Sequence, residues 1–473
     1  MRYFLLFNHL VLASLLGGRF LQAQSAETLR GALLPERTCF DVRHYDLQVK
    51  IDPKNKEVSG VNHILFKVEA PTQRIQLDLY QNMQILNVLY ENASLRFTRK
   101  HNVFFVDFPA PLSPGQLIKL SVFYKGNPQT LYRGFRYKGF YWNKDEKGRP
   151  WIGVTCEQVG ASLWWPNKDH LSDEPDSVDL HYTVPKGLVC VANGTLESQK
   201  PGPPGYQTWH WKVRNPIDNY NVTFNLGHYV RMVQTHPISH QPRSLEYYVL
   251  DYDTTRAADY FRVTPLVLDF FEKIFDEYPF WKDKFAVIQT PYDGMEHQSC
   301  LAIGPHLKAR TGDNFYYPLN VNWNSVLVHE IAHEWWGNNV SVSDMADAWL
   351  QEGFATYAEA LFMEQVFGKE MYQKMMNKCH NLIQWEHPLV GKRHVNVDMF
   401  RDNDIYFRGA WVLHRLREEI NNDRLFFGIF LYFQARFRGQ TVSSDDFVKA
   451  VEEVCKRDFS DFFGRMLYTL RSF

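Results

Sequence analysis

Residues 326–337 read VLVHEIAHEWWG and place two histidines four positions apart, with a glutamate directly after the first. Residues four apart lie one turn along the same face of a helix, so His329 and His333 can direct two imidazoles at one ion. Glu330 is turned about 100° from His329 around the helix and can face a water molecule beside that ion. The spacing therefore predicts a helix that carries two metal ligands and an acid–base group.

A zinc ion held this way needs a third protein ligand, which leaves the fourth position open. The segment DMADAWLQEGFATYAEA (344–360) begins a second helical run, and Glu352 lies 19 residues after His333. The loop between them can return the chain so that the second helix packs beside the first. The alternative is an ordinary acid in a helix's first turn, where the helix dipole favours it. We expect one Zn²⁺ per chain on His329, His333 and Glu352.

Apolar periodicity divides the chain into two parts. Between residues 36 and 250, segments such as HYDLQVKID (44–52) and YQTWHWKV (206–213) alternate apolar and polar residues, which predicts an N-terminal antiparallel β domain. From residue 251 to 473 the spacing becomes helical, as in residues 254–275 and 408–420, with a strand at KFAVIQT (284–290) and a capping box at Ser443–Asp446. The predicted fold class is α+β, with a mainly helical catalytic domain second.

Length and composition fit this division. A chain of 473 residues is longer than one hydrophobic core usually accommodates, so at least two domains are expected. Its net charge of −1 gives no reason to expect a nucleic-acid partner. Residues 1–23 have a basic start and an apolar run, which predicts a cleaved signal peptide and an exported protein, periplasmic or secreted. No later segment is long and apolar enough to be an integral membrane span, and nothing indicates an oligomeric state.

The sequence resembles a known family at this point. HEIAHEWWGN, followed by WLQEGFATYAE, is similar to the zinc signature of the gluzincin aminopeptidases, which include aminopeptidase N and leukotriene A hydrolase. The resemblance covers roughly residues 39–473 and implies a saddle-like β-sheet domain followed by a thermolysin-like helical domain. It also implies that Glu330 is the general base. Many relatives continue into a C-terminal helical domain, so we expect a short form that lacks it.

Two further segments resemble the family's substrate-binding motifs. PYDGMEHQSC (291–300) resembles the GxMEN exopeptidase motif, with Met295 and Glu296 in place and Gly294 at the unspecified position, but Asp293 and His297 depart from it. The resemblance implies that Glu296 holds the substrate's free amine. TCEQVGASLWWPNKD (155–169) resembles the segment that reaches the site from the first domain, and this implies that Glu157 is a second acid around that amine.

The remaining candidate residues would stabilise the oxyanion or orient a metal ligand. IYFRGAWVLHRLR (405–417) resembles the family's YxKGA helix start, with Arg408 in place of lysine, which implies that Tyr406 donates a hydrogen bond to the oxyanion. Asp347 or Asn338 could orient a ligand histidine.

These residues together favour a zinc metallopeptidase that releases N-terminal amino acids from peptides with a free amine. A thermolysin-type zinc endopeptidase shares the metal ligands but has no need of GMEH. A catalytically inactive peptide-binding relative would be free to lose one of the metal ligands, Glu330 or Tyr406. Epoxide hydrolysis, known in one branch of the family, has no support in this sequence.

Overall fold

The computed structural model describes residues 26–133, 136–238, 241–307 and 325–470. The predicted signal peptide at residues 1–23 lies outside these ranges. Within them, none of the helices has the length and apolar character needed to cross a membrane.

The strands of the described residues are β1 Phe40–Asp52, β2 Glu57–Val68, β3 Thr72–Asp78, β4 Met83–Tyr90, β5 Ala93–Ser94, β6 Arg96–Lys100, β7 Val103–Leu112, β8 Leu117–Gly126, β9 Thr130–Arg133, β10 Arg136–Lys144, β11 Pro150–Thr155, β12 Ser177–Pro185, β13 Val189–Ala192, β14 Thr195–Pro201, β15 Tyr206–Val213, β16 Phe224–Gly227, β17 Tyr229–Ile238, β18 Gln241–Leu250, β19 Phe285–Gln289, β20 Leu301–Ile303, β21 Val340–Val342 and β22 Gln440–Val442. The helices are α1 Ala26–Gly31, α2 Pro35–Thr38, α3 Thr254–Tyr260, α4 Thr264–Phe275, α5 Ser325–His333, α6 Trp349–Phe367, α7 Lys369–Leu382, α8 Asp404–Ile420, α9 Asp423–Phe437, α10 Ser444–Cys455 and α11 Ser460–Tyr468.

The N-terminal half is a β domain, as predicted. Its largest sheet has the strand order β14-β15-β12-β1-β2-β8-β4-β5, and a five-stranded sheet runs β13-β16-β11-β10-β9. Pairing in these sheets is antiparallel except between β1 and β12. In β1 the alternating residues Tyr45, Leu47 and Val49 are buried. The α+β fold class is confirmed, because helices dominate only after this domain.

The hairpin β17–β18 connects the two halves. Strand β18 pairs in parallel with β19, the strand predicted at residues 284–290, and β19 pairs with β20. The hairpin lies before the predicted domain boundary at residue 250, yet it extends the sheet of the second half. We propose a boundary just before Tyr229, because the hydrogen-bonded sheet then stays within one domain.

The helical half keeps most of the predicted elements. The helical pattern at residues 254–275 is not one helix: α3 ends at Tyr260, a 3₁₀ turn covers Phe261–Val263, and α4 begins at Thr264. Pro265 lies in the first turn of α4, where its missing N–H costs nothing, but it would break a continuous helix. The capping box of Ser443 and Asp446 at the start of α10 is confirmed.

Helices α6 and α8 cross at two glycines. A Cβ built on Gly353 would lie 2.6 Å from Cα of Gly409, so the backbones touch only because both residues lack side chains. Glu352 precedes the first glycine, and Tyr406 lies one turn before the second. This close crossing places the beginnings of α6 and α8 beside the end of α5, where His329 and His333 lie.

Candidate metal centre and substrate cavity

Three donor atoms from α5 and α6 converge on one point. His329 Nε2 lies 3.0 Å from His333 Nε2 and 3.1 Å from Glu352 Oε2, and His333 Nε2 lies 3.4 Å from the same oxygen. Ligands at about 2.0–2.1 Å from a tetrahedral ion are separated by roughly 3.3 Å. The structure therefore brings the three predicted ligands together at the spacing that a zinc ion requires.

The Nδ1 atoms of both histidines, which point away from the other donors, form hydrogen bonds. Nδ1 of His329 lies 2.9 Å from Oε1 of Glu359, and Nδ1 of His333 lies 2.9 Å from the carbonyl oxygen of Trp336. Because these oxygens only accept, each Nδ1 donates, and a neutral imidazole then has its lone pair on Nε2. Two lone pairs and a carboxylate facing one point repel each other unless a cation lies between them. The donor set therefore fits Zn²⁺.

The expected orienting residues were wrong. Asp347 accepts two hydrogen bonds from Arg393 and one from the hydroxyl of Ser444, so it stabilises a junction away from the histidines. Asn338 donates to the carbonyl oxygen of Glu296 instead. Glu359, which the sequence analysis missed, lies seven residues after Glu352, and that spacing is two turns along one helix face.

A cavity opens beside the three donors. Its lining includes the three ligands, Glu330 and Glu359 of the helices, Glu157 of the β domain, and Gly294 and Glu296 of the loop after β19. Tyr406 also lines it, and its ring centroid lies 6.1 Å from that of His329. Burial raises the pKa of Glu330 to about 8, an effect that the nearby Glu296 strengthens. A basic carboxylate facing this cavity suits proton transfer near neutral pH.

The loop at residues 291–300 is shaped around Glu330. Met295 exchanges backbone hydrogen bonds with Ala302 of β20, at 3.1 and 2.8 Å, which fixes the loop against the sheet. Gly294 packs so closely on α5 that a Cβ there would overlap the Glu330 carboxylate and lie 2.5 Å from Cγ1 of Val326. Met295, which the motif predicts as a substrate-binding residue, does not line the cavity with its side chain. This side chain is 1% exposed and lies behind the cavity wall, where it accepts a hydrogen bond from Thr155.

Glu296 is held from both halves of the chain. The Tyr220 hydroxyl of the β domain donates to its Oε1 at 3.0 Å, and Asn338 donates to its carbonyl oxygen at 2.7 Å. A carboxylate oxygen of Glu296 lies within 4.8 Å of ligand atoms of Glu330 and His333. Glu296 thus projects a negative charge into the cavity next to the metal centre.

Glu157 has a partner that the sequence analysis missed. Lys138 of β10 donates to Oε2 of Glu157 at 2.7 Å, and both residues are 4% exposed. Oε1 of Glu157 is buried and accepts no hydrogen bond from any described residue. Burial raises the pKa of Glu157 well above its usual range, and Lys138 opposes this rise while Glu296 and Glu352 add to it. The two predicted amine-binding acids therefore line a cavity that has a buried lysine behind Glu157.

Comparison with known proteins decides the family. The model described as "Peptidase M1 N-terminal domain" matches residues 42–220, and the model described as "Peptidase family M1 domain" matches residues 260–466. Together these matches cover most of the chain. The chain belongs to peptidase family M1. The resemblance to the gluzincin aminopeptidases is thereby confirmed, and M1 membership implies the single zinc ion that the three donors fit.

Curated relatives of this M1 chain carry aminopeptidase names. It is 25% identical to glutamyl aminopeptidase of Sus scrofa over 447 residues, which is 87% of this chain and 45% of that protein. It is 23% identical to endoplasmic reticulum aminopeptidase 1 of Homo sapiens over 446 residues, or 88% and 46% of the two chains. The M1 chain thus spans about half the length of these relatives.

Solved M1 structures share the fold over nearly the whole chain. A mutant of the M1 zinc metallopeptidase from Deinococcus radiodurans aligns with a TM-score of 0.78 at 23% identity, covering 92% of this chain and 96% of that one. The same enzyme bound to a Tyr-Ser-Ala substrate aligns with a TM-score of 0.77 at 24% identity, covering 92% and 95%. The two-domain arrangement is therefore shared with a chain of similar extent.

Proposed function

We propose that this M1 chain is a zinc-dependent aminopeptidase, which removes residues one at a time from the free N-terminus of peptides. One observation carries the proposal: a single cavity contains the three convergent ligands, Glu330, and the carboxylates of Glu296 and Glu157. The aminopeptidase names of the relatives support it. We also propose export of the protein, on the signal-peptide pattern of residues 1–23.

The chemistry follows from the residues around the metal centre. Bound zinc supplies a Lewis acid, which acidifies water and polarises the scissile carbonyl. The carboxylate of Glu330 accepts a proton from the attacking water and returns it to the nitrogen of the leaving peptide. The Tyr406 phenol donates a hydrogen bond to the oxygen on which negative charge develops.

The position of the cut follows from the two acids. Glu296 and Glu157 accept hydrogen bonds from the substrate ammonium, and this charge pairing anchors the N-terminus beside the metal centre. Only the first peptide bond then lies over the zinc, because the ammonium cannot reach both carboxylates when a later bond is there. An acetylated N-terminus has no charge and leaves Glu296 and the free oxygen of Glu157 without a cationic partner, which disfavours its binding.

The test is mass-spectrometric mapping of the products from one peptide in free-amine and acetylated forms. We expect stepwise loss of N-terminal residues from the free form, almost no cleavage of the acetylated form, and loss of all cleavage after zinc is removed by a chelator. Internal cuts in the acetylated peptide at comparable rates would show the thermolysin-type endopeptidase instead. Zinc binding without cleavage of either form would show an inactive peptide-binding relative.

A further inference from the structure

The buried ion pair of Lys138 and Glu157 lies in the wall of the substrate cavity. Lys138 is not among the described residues that line the cavity, whereas Glu157 is. Lys138 Nζ contacts Oε2 of Glu157 at 2.7 Å and lies 4.0 Å from Sδ of Met295. The lysine therefore approaches Glu157 from the side away from the cavity.

This arrangement leaves one oxygen of Glu157 for a ligand. Oε1 is buried and has no hydrogen-bond donor among the described residues, although a buried carboxylate oxygen normally has one. Because Oε2 is held by Lys138 and the side chain lines the cavity, Oε1 is the oxygen that remains for a molecule bound there. A cationic donor that enters the cavity can supply the missing hydrogen bond.

We propose that Lys138 is a positioning residue for amine recognition, which holds Oε2 of Glu157 and directs its free oxygen toward the substrate ammonium. The inference rests on the proposed aminopeptidase function. With Lys138 in place, the two amine-binding carboxylates are accompanied by one cation, and the substrate ammonium supplies the second. Charges then alternate from Lys138 through Glu157 and the substrate to Glu296. Without Lys138, Oε2 of Glu157 loses its 2.7 Å partner, so nothing holds the buried carboxyl group with its free oxygen toward the ammonium.

The experiment uses the zinc-loaded protein and measures kcat and KM separately on a free-amine peptide. Lys138→Met is expected to raise KM on the order of thirtyfold, because one anchor of the ammonium is lost, while kcat changes by less than about threefold. Lys138→Arg keeps the charge and should recover most of the affinity. In the Glu157→Gln background, Lys138→Met should add less than about a threefold change, because the lysine acts through Glu157.

Three outcomes would overturn the proposal. An equal rise in KM from Lys138→Met with and without Glu157→Gln would show that Lys138 has a general structural role. A lowered KM would show that the lysine competes with the substrate amine for Glu157. An unchanged KM in the single variant, with a wild type that still requires a free amine, would refute the role of Lys138 while leaving the aminopeptidase function standing.

Two controls cover failure of the aminopeptidase proposal itself and failure of a variant to fold. If the wild type cleaves acetylated and free peptides equally, the aminopeptidase proposal itself fails, and the role of Lys138 fails with it. If Lys138→Met does not fold alone, KM can still be compared between the Lys138→Met/Glu157→Gln double variant and Glu157→Gln. The double variant removes both charges together and leaves no buried unpaired charge. Lys138→Gln then provides the neutral single variant, for which a raised KM is expected and an unchanged KM contradicts the proposal.

Discussion

Replacing Gly294 with alanine should inactivate the enzyme without unfolding it. The added Cβ would overlap the Glu330 carboxylate and lie 2.5 Å from Cγ1 of Val326, about 1 Å closer than carbon atoms normally approach. The Glu330 carboxylate is the end of a flexible side chain, so it can move aside at little cost in stability. A general base displaced by about 1 Å loses on the order of a hundredfold in rate, equivalent to about 2.7 kcal/mol in the barrier.

The assay is steady-state hydrolysis of a free-amine substrate, with bound zinc measured by mass spectrometry. We expect kcat to fall about a hundredfold while zinc content and melting temperature stay close to wild type. The matched control is Gly304→Ala near the same loop, where the nearest atoms lie 3.7 Å from an added Cβ, so activity should remain within about twofold. Wild-type turnover by Gly294→Ala would refute the packing argument. Loss of zinc would show that α5 moves rather than the Glu330 side chain.

Three other changes test separate parts of the structure. Tyr406→Phe should lower kcat about a hundredfold with little change in KM, because the phenol contacts an oxyanion absent from the bound substrate; a raised KM at unchanged kcat would place Tyr406 in binding instead. Glu359→Ala should weaken zinc affinity about tenfold to a hundredfold in a chelator competition, and unchanged affinity would contradict its contact with His329. Arg37→Met should lower the free energy of unfolding, measured in denaturant, by about 3–5 kcal/mol. The reason is that buried Asp78 loses its partner in a 2.6 Å ion pair. The exposed Arg43, changed in the same way, should cost less than about 1 kcal/mol.

Local periodicity accounts for what the sequence predicted well. The helix geometry of α5 fixes the two histidines on one face, and the long helical run after residue 348 places Glu352 in the first turn of α6. The alternation in β1 predicted its buried face for the same reason. The division of the helical pattern at residues 254–275 was missed, because the apolar spacing continues through Pro265 although the α-helix is interrupted before it.

Contacts between distant elements account for what was missed. Lys138 lies one position before Gly139, the first residue of β10 that pairs with β11, opposite Thr155. Glu157 follows β11 in a loop. Neither the register of this hairpin nor the direction of its loop can be read from residue spacing. Asp347 and Asn338 were chosen as orienting residues for their closeness in sequence to the metal ligands. In the structure Glu359 orients His329 instead. Its spacing of seven residues from Glu352 predicts the same helix face and could have indicated this role.

The central claim is that one zinc ion on His329, His333 and Glu352 cuts the first peptide bond of a chain whose ammonium lies between Glu296 and Glu157. A crystal structure of the Glu330→Gln variant with a free-amine tripeptide, recorded at the zinc absorption edge, tests it most directly. The account predicts one anomalous peak about 2.0–2.2 Å from the three ligand atoms, with the peptide ammonium against both acids and the first carbonyl beside the peak. A peak away from the triad, or a peptide bound with a later bond at the metal, would contradict it.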